Sequence, residues 1–96
     1  MIKHVVCFKL KEYSLENMEK SREVILSMNG KVKEIKQLEV GIDLIHSPRS
    51  FDVVLEVLVD DLDALDRYQK DEYHCNVVKK YLGEVTINTI AIDYYI

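Results

Sequence analysis

Four stretches of this chain alternate apolar and polar residues at a period of two, and two intervening stretches switch to helical spacing. A period of two sends successive side chains to opposite faces of a strand, whereas apolar residues recurring at three and four build one face of a helix. In residues 2–10, Ile2, His4, Val6, Phe8 and Leu10 alternate with Lys3, Val5, Cys7 and Lys9. Leu38, Val40, Ile42 and Leu44 repeat the pattern. After a turn at His46-Ser47-Pro48-Arg49-Ser50, so do Phe51, Val53, Leu55, Val57 and Val59. The last stretch, 84–96, sets Ile90, Ile92, Tyr94 and Ile96 against Thr89, Ala91, Asp93 and Tyr95.

Between the first two strands, Ser14 has the character of an N-cap, and Leu15, Met18, Ile25, Leu26 and Met28 form an apolar stripe that Gly30 ends. After the third strand, Asp60 or Asp61 caps a helix carrying Leu62, Leu65 and Tyr68 inward. A break at Asp71-Glu72 precedes a further helical stretch with His74, Val77, Val78, Tyr81 and Leu82, which Gly83 is expected to stop. The order β-α-β-β-α-β predicts an α+β, ferredoxin-like fold: a four-stranded antiparallel sheet with its helices on one face. Ninety-six residues fit one domain, 1–96.

Composition narrows the function classes. Hydrophobic residues make up 48% and charged residues 31%, a globular balance. A net charge of −4 disfavours a nucleic-acid partner, because phosphate binding needs a basic face. No apolar run approaches the roughly 20 residues of a membrane span. Met1-Ile2-Lys3-His4 alternates at once instead of opening an apolar signal segment, so a cytoplasmic location is expected. Cys7 and Cys75 lack CxxC spacing and read as free thiols. Nothing has the spacing of a phosphate loop, nucleophile elbow or zinc site, so neither cofactor nor metal is expected. The run Asp60, Asp61, Asp63 and Asp66 suits a helix N-terminus.

One sheet face belongs under the helices. The other is expected to carry Val5, Cys7, Ile45, Val54, Leu58, Ala91 and Tyr95 beside Lys3, Lys9, Glu56 and Asp93. So much apolar surface predicts sheet-on-sheet packing in a two-fold homodimer, closing a dimeric α/β barrel.

The chemistry-bearing candidates are His4, Tyr68 and His74. His4 shares a face with Val6 and Phe8, Tyr68 continues a helix stripe, and His74 precedes Val78 and Leu82 by one and two turns. Together with Val6, Phe8, Leu55 and Val77 they are expected to line a pocket between sheet and helices that takes a small oxygenated or apolar ligand. An imidazole moves protons near neutrality, and a phenol hydrogen-bonds a carbonyl where charge develops. His74 as base and Tyr68 as polariser would suit proton abstraction beside a carbonyl. The same three residues also fit plain core packing, and His46 reads as a surface turn residue.

These residues also carry a resemblance. His4-Val5-Val6-Cys7-Phe8-Lys9-Leu10, Gly41-Ile42-Asp43, Phe51-Asp52-Val53-Val54-Leu55, Tyr68 with His74 six residues on, and Asp93-Tyr94 resemble the stress-responsive α/β-barrel (Dabb) domain family over nearly the whole chain. The resemblance implies a ferredoxin-like fold dimerising through its sheets. It also implies that Tyr68 and His74 match the pair some plant members use in polyketide cyclisation, with His4 lining the pocket. Asp71-Glu72-Tyr73 departs from the family's usual His-Pro before the second histidine. Three function classes stay open: a small-molecule-binding protein or cyclase-like enzyme, a cofactor-free monooxygenase on the same architecture, and a non-enzymatic stress or scaffold domain.

Overall fold

In the computed structural model, which describes all residues 1–96, the elements follow as β1 (Ile2–Leu10), α1 (Leu15–Leu26), β2 (Gln37–Ile42), β3 (Val53–Val59), α2 (Leu62–Lys70), a π-helical segment (His74–Lys79), α3 (Lys80–Val85) and β4 (Thr86–Tyr95). The sheet is antiparallel throughout, in the order β2-β3-β1-β4. This is the ferredoxin-like arrangement that the alternation pattern predicts.

Local chemistry sets the element ends. The Ser14 hydroxyl accepts from Asn17 N at 3.0 Å and opens α1; Asp61 does the same for α2 through Ala64 N at 2.8 Å. The buried face of α1 is Met18, Ser21 and Ile25, followed by Met28 in the turn where Gly30 adopts φ +80°. Leu15 and Leu26, expected in the inward stripe, are instead exposed, because Ser21 occupies the inward slot and returns its hydroxyl to Asn17 O at 2.9 Å. Leu62 is also exposed, at the first position of α2, and Ala64 and Tyr68 form that helix's buried face. Asp52 ties the start of β3 to the end of β1: its amide donates to Phe8 O and its carboxylate accepts from Leu10 N, each at 2.8 Å.

Two strand boundaries and one helix end differ from the sequence reading. β2 stops at Ile42, leaving Leu44 and Ile45 exposed in the following loop, and β3 starts at Val53 after Phe51. Gly83 does not stop the last helix, which continues to Val85. A glycine inside a helix is a cost rather than a barrier when hydrogen bonds continue past it.

The register of β4 corrects its facing. Ala91 pairs with Val6, Asp93 with His4 and Tyr95 with Ile2, so these three share the side of the sheet that His4 faces. Ile90, Ile92 and Tyr94 pair with Cys7, Val5 and Lys3 on the open side. The expectation that Ala91, Asp93 and Tyr95 lie on the open face is therefore inverted. The period of two was right and its sign was not. The open face keeps its apolar character, since Ile90, Ile92 and Tyr94 are 51%, 64% and 45% exposed beside Val5, Cys7 and Val54.

Candidate functional site

The site begins with the carbonyls at the end of α2. A helix leaves its last carbonyls without intrahelical donors, and here side chains of the next segment supply them. The His74 ring meets Tyr68 O through Nδ1 at 2.9 Å. Cys75 Sγ and Lys79 Nζ both donate to Gln69 O, at 3.2 and 3.1 Å. Asp71 fixes the break, accepting from His74 N on its carboxylate and from Cys75 N on its carbonyl. The wider π-helical turn that follows keeps His74 and Val78 buried on one side while Val77 faces outward at 40% exposure.

Tyr68 lies completely buried between the two histidines. Its ring stacks on His74 with centroids 4.3 Å apart and meets His4 edge-on at 5.6 Å. The Tyr68 hydroxyl has no hydrogen-bond partner, and burial, with the Asp71 charge behind it, pushes its ionisation far above the ordinary phenol range. On the far side of the pair, His4 Nδ1 is hydrogen-bonded to Asp93 Oδ1, the residue directly across the β1–β4 ladder.

Both imidazoles are thus anchored through Nδ1, one on a carbonyl and one on a carboxylate, and neither Nε2 has a partner within the chain. A carbonyl accepts only, so His74 presents N–H at Nδ1 and a lone pair at Nε2. Burial holds its pKa below the ordinary histidine value; the positive charges of Lys79 and His4 push the same way, while the Tyr68 carbonyl and Asp71 oppose.

The two rings sit at a cleft of ≈ 390 Å³ between the sheet and the π-helical segment with α3. Val6, Phe8 and Leu55 form its sheet wall, Val78 and Leu82 its helix wall. Of the residues expected from sequence, His4, Val6, Phe8, Leu55 and His74 line the cleft. Tyr68 does not reach it, because its ring fills the space behind the histidines, and Val78 stands where Val77 was expected. Sequence reasoning missed Gln69, Lys79, Gly83, Thr86 and Thr89, which complete the rim, and Asp93, which orients His4. Only Asp93 carried a usable signal: it stands opposite His4 once β1 and β4 are paired with their ends aligned.

A second hollow of ≈ 280 Å³ opens on the other face of the sheet against Cys7, Gly41, Phe51 and Asp52. One oxygen of each carboxylate there is committed to a backbone amide, Asp52 to Leu10 N and Asp43 to His46 N. Burial and then Glu56 push the Cys7 thiol pKa up, which favours the thiol over the thiolate.

Comparison with known proteins places the fold. The stress responsive A/B barrel domain family matches residues 2–96. The chain belongs to that family. No curated protein matches the sequence. Among solved structures it is similar to a dimeric, ferredoxin-like protein of unknown function from Bacteroides fragilis, at 27% identity over 99% of this chain and 95% of that one, TM-score 0.82. It is also similar to a ferredoxin-like member of the same family from Mesorhizobium loti, at 23% identity over 98% and 94%, TM-score 0.81. The hydroxynitrile lyase of Passiflora edulis shares the fold at 15% identity over 99% and 92%, TM-score 0.79. No helix is long and apolar enough to cross a membrane.

Proposed function

We propose that this family member is a homodimer that binds a small molecule with an apolar body and an oxygen-bearing head in the cleft between sheet and helices. One observation carries the reading: two buried imidazoles, each tethered through Nδ1, leave both Nε2 atoms unpartnered at a cleft whose long walls are apolar. Ligand sites have this composition, a mostly apolar enclosure with a few placed polar groups. The dimer rests on the exposed face of Ile90, Ile92 and Tyr94 and on the dimeric Bacteroides fragilis relative. The two free thiols suit a reducing cytoplasmic setting.

Within this reading the histidines divide the work. His74, held neutral by burial, accepts a proton from the ligand head at Nε2. His4, oriented by the Asp93 carboxylate on its Nδ1, turns its Nε2 toward the same ligand head. Tyr68 spaces and orients the pair instead of touching the ligand.

The test is ligand-observed NMR with a panel of small aromatic and cyclic carbonyl compounds, on the wild type and on Gly83→Leu. Gly83 lies in α3 at the cleft, and a Cβ there meets nothing within 4 Å, so a leucine side chain starts in open space. Compounds that bind the wild type and are lost in the folded variant are the expected outcome. A panel with no binder, or binders indifferent to the leucine, contradicts the reading.

A further inference from the structure

Lys79 is the one cationic side chain other than the histidines on the cleft lining, and no acidic side chain lines the cleft at all. It forms no ion pair with any carboxylate of the chain. Its ammonium rests on Gln69 O at 3.1 Å, a neutral carbonyl that leaves the charge uncompensated. Gln69 lines the cleft too, so this anchor holds the ammonium at the rim, five residues along the π-helical segment from His74.

Such a rim has a chemical preference. A solvated ammonium without a counter-ion gains from an anionic oxygen, and beside apolar walls the gain grows because water is partly displaced. The hydrocarbon walls set the rest of the ligand. Chain-wide the net charge is −4, so this local absence of acid runs against the composition of the surface.

We infer that the cleft selects a monocarboxylate with an apolar body, its carboxylate paired with the Lys79 ammonium and its body lying against Phe8, Leu55 and Val78. The inference rests on the proposed ligand-binding role of the cleft and adds the charge of the ligand. Lys79 is then a specificity residue, separate from the histidines that hydrogen-bond or deprotonate the head.

A matched pair of probes separates the two claims: 4-phenylbutyrate and its neutral amide, titrated by NMR into the wild type and into Lys79→Met. Methionine keeps the aliphatic stem and removes the charge together with the hydrogen bond to Gln69 O, a carbonyl that Cys75 Sγ still caps. The wild type binds the acid about three- to tenfold tighter than the amide, the range of a partly exposed charge-assisted contact. Lys79→Met removes that preference, so that acid and amide bind it alike, and added salt narrows the wild-type difference. Equal affinity of acid and amide for the wild type, or a preference that survives in Lys79→Met, overturns the inference while the cleft remains a ligand site. Failure of both probes to bind contradicts the inference and counts against the cleft itself.

Discussion

His74 takes two contacts from the same residue: its ring stacks on the Tyr68 ring at 4.3 Å between centroids, and its Nδ1 meets the Tyr68 carbonyl at 2.9 Å. One tyrosine therefore fixes both the plane and the tautomer of the imidazole. The hydrogen bond also helps to close the end of α2, where Asp71 N donates to the same carbonyl at 3.3 Å, so helix capping and the orientation of the functional group share one acceptor.

That arrangement makes stability depend on pH. Burial depresses the folded-state pKa of His74 below the value of about 6.5 it recovers on unfolding. As pH falls through about 6.5, the unfolded chain binds a proton that the folded chain refuses, so stability is full above that pH and declines below it. Urea unfolding across about pH 5 to 8 shows the decline in the wild type and a smaller one in His74→Asn, whose amide retains a donor for the Tyr68 carbonyl. Equal slopes for the two proteins contradict the depressed pKa.

Removing the Tyr68 hydroxyl tests its placement. A buried polar atom with no partner carries its desolvation cost uncompensated, about 1–3 kcal/mol. Tyr68→Phe should therefore leave stability unchanged or raise it by about 1 kcal/mol in urea unfolding, with ligand affinity intact. Tyr68→Ala, by contrast, empties the space between the histidines and costs about 3–5 kcal/mol. Lost ligand binding in Tyr68→Phe means the hydroxyl reaches the cleft after all.

The open sheet face predicts the assembly. Ile92 stands at the centre of the exposed apolar row on β4, paired with Val5. Light scattering coupled to gel filtration gives a dimer for the wild type and a monomer for Ile92→Asp, because a carboxylate buried between two apolar sheets lacks a partner. A monomeric wild type contradicts the proposed pairing.

The sequence made some of this legible and hid the rest, for physical reasons. Strand and helix order followed from periodicity because most inward positions are occupied by large apolar residues such as Phe8, Leu55 and Val57. Periodicity does not fix the sign of an edge strand. β4 borders only β1, and its apolar row faces the open side while Thr89, Ala91 and Asp93 share the side of the sheet that His4 faces. Assuming that isoleucines point inward hid the Asp93 partner of His4. The π-helical turn was also invisible, since it arises from how His74, Cys75 and Lys79 satisfy the carbonyls of α2 and not from any apolar repeat. His4 and His74 themselves were legible because each interrupts an apolar row.

The most direct test of the account is a long-range ¹⁵N–¹H spectrum of the histidine rings at mildly alkaline pH, recorded alone and with a cleft-binding compound whose head carries a hydroxyl donor. His4 and His74 should both appear as Nδ1–H tautomers, and both Nε2 resonances should move when the ligand is added. Nε2–H tautomers, or Nε2 resonances that a bound ligand leaves unmoved, would show that the rings are packing elements of the core and that the cleft is not their site of action.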